Sequence, residues 1–102
     1  MEKIYVVTEC GNDGIDMFSI QLGVYSTLEK AQARMVVCFF KTKNYIEKSD
    51  EYTIIDNGYD VNPMETTLLF RDSKGRFCKH FVVIEERTLD EDGSEIYFEL
   101  PC

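Results

Sequence analysis

Phe18, Ile20, Leu22 and Val24 alternate with Ser19, Gln21 and Gly23, which is the two-residue period of a half-buried strand. The chain then passes through Tyr25-Ser26-Thr27 into a different pattern. Ser26 followed three residues later by Glu29 reads as a capping box, with the Ser hydroxyl on a first-turn amide and the Glu reaching back to the cap. At about 100° per residue, Leu28, Ala31, Met35, Cys38, Phe39, Thr42 and Ile46 fall on one stripe of a helix running from Thr27 to about Asn44. Lys30, Arg34 and Lys41 lie off that stripe, as solvated positions should. Val36, Val37 and Phe40 also lie off it. Either the helix is covered more deeply than one face, or these three form a second apolar face, a candidate dimer face for another copy or a partner.

Upstream, Ile4-Tyr5-Val6-Val7 is unbroken by polar residues, and an apolar strand from Lys3 to Thr8 suits a central position with both faces covered. Cys10-Gly11-Asn12-Asp13-Gly14 supplies turn chemistry, so this strand and the next form an antiparallel hairpin. Beyond the helix, Tyr52-Thr53-Ile54-Ile55 predicts a strand stopped by Asp56-Asn57-Gly58, with Tyr59 to Glu65 as an irregular loop. Thr67 to Phe70 and Phe77 to Arg87 predict two further strands around the turn Arg71 to Arg76. Asp92-Gly93 is a hairpin signal, and Ile96, Phe98 and Leu100 alternate with Glu95, Tyr97 and Glu99 in a last strand. The order ββαβββ gives one α+β domain over residues 1–102, an antiparallel sheet of five to six strands with one main helix on one face.

Composition narrows the class without naming a chemistry. The 102 residues suffice for one core. The longest apolar run, Met35 to Phe40, is far short of the ~20 residues of a membrane span. The first residues carry no export-signal pattern, so a cytoplasmic location, in a bacterium or a host cell, is expected. In that compartment Cys10, Cys38, Cys78 and Cys102 are expected as free thiols. The net charge of −8 argues against direct nucleic-acid binding, which needs cations to neutralise phosphate. Acids concentrate late in the chain: Glu85 to Glu99 holds seven acids and one base, whereas Glu29 to Lys48 holds five bases and two acids.

Catalytic constellations are scarce. His80 is the only histidine, which removes multi-histidine metal sites. Cys78 and His80 share a strand face and could offer two ligands, with Cys10 or Cys38 arriving from elsewhere, but the second close ligand pair of a structural zinc site is missing. No metal and no cofactor are therefore expected. A cysteine nucleophile would need an imidazole within hydrogen-bond reach and an orienting group, and no nucleophile elbow occurs. Glu85 and Glu86 point to opposite faces of a strand and cannot work as a pair. Asp90 to Ser94 lacks the glycine and glutamate spacing of a calcium loop, and Gly11 to Gly14 lacks the lysine of a phosphate loop.

Through Ile4-Tyr5-Val6-Val7 and Gly23-Val24-Tyr25-Ser26-Thr27-Leu28-Glu29-Lys30-Ala31, the chain resembles small uncharacterised bacterial and phage proteins that open with a β-hairpin and enter a helix through a Tyr-Ser-Thr/Ser turn. The resemblance covers Lys3 to Met35 and carries no catalytic motif. It implies a bacterial or mobile-element setting. The expected function is non-enzymatic: a small acidic protein that binds another protein. One form is an inhibitor whose Asp90, Glu91, Asp92, Glu95 and Glu99 cover a basic, nucleic-acid-binding surface of the target, an association steered by charge. The alternative is a self-associating structural module, a homodimer through Val36, Val37 and Phe40.

Overall fold

A computed structural model describes residues 2–12 and 16–88. Five strands and one helix follow in order: β1 Lys3–Asn12, β2 Met17–Tyr25, α1 Leu28–Lys48, β3 Tyr52–Val61, β4 Glu65–Asp72 and β5 Phe77–Thr88. The strands form one antiparallel sheet in the order β2-β1-β5-β4-β3, and α1 packs on one face. This is the α+β architecture the pattern predicts. The strand expected at Glu95 to Leu100 lies outside the described residues.

The unbroken apolar strand is interior, as its composition requires. β1 is paired on both sides, and Val6, Val7 and Cys10 are fully buried. It also runs on through Gly11 and Asn12, where turn chemistry was expected, because β2 and β5 both offer partners: Gly11 lies opposite Phe18 on one side and His80 on the other. Gly11 serves a close approach here. A Cβ there would sit 2.1 Å from the Phe18 ring. In β2 the alternation is broken once. Val7 pairs with Gly23 but Thr8 pairs with Gln21, so Leu22 is an extra residue. Leu22 and Tyr25 both pack on the core, whereas Val24 is exposed.

The helix begins one residue later than the capping-box reading. Thr27, in extended conformation, is the N-cap, and its hydroxyl accepts from the Lys30 amide at 3.3 Å. Ser26 is therefore not the cap, and Glu29 contributes as a first-turn acid near the positive end of the helix dipole. At the other end α1 extends beyond Asn44 to Lys48, because Ile46 is buried beside Phe39 and Leu68. The predicted stripe is otherwise the packed one. Val7, Ala31, Met35, Cys38, Val82 and Ile84 form one apolar cluster, and Phe39, Ile46 and Leu68 form a second.

Asp56-Asn57-Gly58 does not stop β3. Ile54 pairs with Phe70 and the next partners are Tyr59 and Leu68, so the intervening residues form a bulge inside the strand. Asn57 takes φ 58°, and a Cβ on Gly58 would lie 2.6 Å from the Ile55 carbonyl oxygen and 2.8 Å from that of Leu69. The turn residues bend the strand, and pairing to β4 then resumes. The expected loop from Tyr59 to Glu65 is thereby shortened to a turn. In it the Asn62 side-chain oxygen accepts from the amides of Met64 (3.0 Å) and Glu65 (2.8 Å).

Candidate functional site

His80 precedes Val82 on the helix-facing side of β5 and stands opposite Leu68 of β4, so it borders both apolar clusters. It is 4% exposed. A buried imidazole needs partners, and the neighbouring strand supplies one. Glu9, two residues beyond Val7 on the same face of β1, accepts from His80 Nε2 with its Oε2 at 2.8 Å. The same oxygen accepts from the thiol of Cys38, which α1 lowers onto it, at 3.3 Å. Thr42 Oγ1, one helical turn further, lies 3.4 Å from His80 Nε2. The ligand atoms of Glu9, Cys38 and His80 lie within 4.8 Å of one another.

Electrostatics act on the Cys38 thiol. Burial, then the negative charge of Glu9 and its hydrogen bond to the thiol, push Cys38 up to about 12, against the smaller opposing pull of Arg34 and Lys41. The thiol therefore stays protonated at neutral pH and is a hydrogen-bond donor, the reverse of an activated nucleophile. His80 Nδ1 is buried and has no hydrogen-bond partner among the described residues.

Two clefts reach the cluster from outside. One, of about 200 Å³, is lined by Glu9, Phe18, Thr42, Tyr45, Tyr52 and His80 among others. The other, of about 280 Å³, lies between α1 and β2 and is lined by Glu9, Leu22, Arg34, Cys38, Lys41 and Tyr45 among others. Phe18 and Ile20, on the helix side of the edge strand, are 45% and 51% exposed, and Tyr45 is 66% exposed. The flank between α1 and β2 is thus an apolar groove with cationic groups on its helical wall. No family model, curated protein or solved structure matches the chain.

The residues singled out from sequence fare differently. Asp90, Glu91, Asp92, Glu95 and Glu99 lie outside the described residues. Val37 and Phe40 face solvent at 57% and 48% exposure, whereas Val36 is half-buried against the first cluster. Phe40 also packs edge-on against Phe39. Cys78 and His80 do share a buried strand face, but the Cys78 thiol turns to the Arg76 carbonyl at 3.6 Å. Cys38 and Cys78 are reduced, whereas Cys10 is disulfide-bonded, which corrects the expectation of four thiols. Among the described helices none is long and apolar enough to cross a membrane.

Glu9 escaped the sequence reading altogether. Its signal was present: in the run Tyr5, Val7, Glu9, the period of two places a carboxylate on the face that the strand buries. A lone histidine among Val82 and Ile84 calls for such a partner.

Proposed function

We propose that this protein acts by binding another protein, with the α1–β2 flank as the contact surface and no chemistry of its own. The observation that carries this reading is the edge strand. β2 is paired on one side only among the described residues, and it exposes Met17, Phe18, Ile20 and Val24. A nine-residue edge with four exposed large apolar side chains is a template for another chain unless a partner covers it. The five acids at 90–99 give the encounter its sign: they steer the protein toward a partner with a basic, nucleic-acid-binding surface.

The test is capture from host extract with immobilised protein, comparing wild type with Ile20→Lys and with Phe18→Ser. A partner that wild type retains and both variants lose supports the proposal. Equal retention by all three overturns it. The exposed pair Val37 and Phe40 favours the second reading, self-association through the outer face of α1. Light scattering reads that directly: a dimer that Val37→Asp with Phe40→Asp converts to monomer would establish it.

A further inference from the structure

We propose that Glu9, Cys38 and His80 form a zinc site that takes one ion through Glu9 Oε2, Cys38 Sγ and His80 Nε2, with a fourth position open to the clefts. Three observations carry this. The donors are carboxylate oxygen, thiolate sulfur and imidazole nitrogen, the three kinds that zinc takes, and three protein ligands with one open position is the pattern of sites that keep an exchangeable ligand. They come from three different elements, β1, α1 and β5, so the fold itself fixes their convergence. All three donor atoms lie within 4.8 Å of one another, and the two contacts to Glu9 are near the spacing of a coordination shell. Zinc bonds of about 2.0–2.3 Å in a tetrahedron set ligand atoms about 3.3–3.6 Å apart, and here Nε2 and Oε2 are 2.8 Å apart and Sγ and Oε2 3.3 Å. Rearrangement of these side chains that opens the Nε2–Oε2 contact admits the ion.

The surroundings agree with exchange. Glu9 and His80 line one cleft, and Glu9 and Cys38 line the other, so an entry path leads to all three donors. Thr42 Oγ1, beside Nε2, is placed to hydrogen-bond a water in the fourth position. Binding is balanced by one proton: the Cys38 thiol gives up its hydrogen to buffer as the sulfur–zinc bond forms, and the hydrogen bonds to Glu9 are exchanged for metal bonds. This departs from the expectation of no metal, which was tied to Cys78 and His80. Cys78 is not among the ligands.

The experiment uses the full chain, stripped with chelator, confirmed folded by circular dichroism, and titrated with Zn²⁺ alone and with Co²⁺ alone. The expected result is one ion per chain, about one proton released, and for cobalt a thiolate charge-transfer band with the intense visible absorption of a four-coordinate site. Cys38→Ser should abolish the charge-transfer band, and Glu9→Gln and His80→Gln should each weaken zinc binding by roughly tenfold or more. Cys78→Ser should leave all of this unchanged. Absence of saturable binding by folded wild-type protein overturns the proposal. So does a charge-transfer band that persists in Cys38→Ser or disappears in Cys78→Ser.

Discussion

At the scale of single residues, small shifts in position change which group carries an interaction. Thr27 rather than Ser26 caps α1, so Thr27→Ala should cost about 1 kcal/mol in denaturant unfolding while Ser26→Ala costs far less. Two adjacent hydroxyls, each with a preceding extended strand, are equivalent candidates on paper. Only the place where the backbone turns helical separates them. Asp72 offers a second test. The Arg76 amide foremost, with the Arg76 side chain and the Lys74 amide, holds its carboxyl below the usual range against a smaller opposing effect of burial. A lowered folded value means that the stabilisation is complete above the unfolded value near 3.8 and is lost as the pH falls below it. Asp72→Asn should therefore be less stable than wild type at pH 7, and the difference should close toward pH 2, measured by urea unfolding at each pH.

At the scale of elements, burial overrides local signals at three places. α1 outlasts its expected end because Ile46 has a pocket between Phe39 and Leu68. Ile46→Ala should cost about 2–5 kcal/mol in unfolding free energy, with loss of helical ellipticity concentrated in the last turns. β3 survives its Asn-Gly pair because β4 re-engages it at Tyr59. Gly58→Ala should destabilise the fold, since its Cβ would press on two backbone oxygens, those of Ile55 and Leu69, whereas Gly75→Ala meets open space but must hold φ 78°. Both losses are readable in thermal unfolding, and only the first should perturb amide exchange across β3 and β4. The bulge at Leu22 acts in the same way on β2, returning Tyr25 to the core after the alternation slips.

At the scale of the whole molecule, charge is distributed unevenly. All eleven basic residues but only thirteen of the nineteen acids lie among the described residues, which are thus nearly balanced, and the excess sits mostly at 90–99. Exposed charges are screened over ~8 Å at physiological salt. Neutralising Asp90, Glu91, Asp92 and Glu95 together should slow association with a basic partner and flatten its salt dependence, while the melting temperature hardly moves. Surface-resonance kinetics at two salt concentrations would show it, and wild-type rates in the neutralised variant would remove charge steering from the proposed function.

The periods of two and 3.6, read from residues such as Ile4 to Val7 and Leu28 to Ile46, were enough to determine an antiparallel sheet with one helix on it. Those patterns are local, and the hydrophobic effect acts on them wherever the chain goes. The sequence also placed His80 on one strand face with Cys78. It did not show that Glu9, seventy-one positions away along the chain, is its partner, nor that Cys38 of the helix completes the group. Those contacts depend on strand order and helix seating, which place β1 beside β5 and set one particular turn of α1 above them. Tertiary structure alone decided the site, because three single polar residues on three elements carry no spacing that a linear pattern can register.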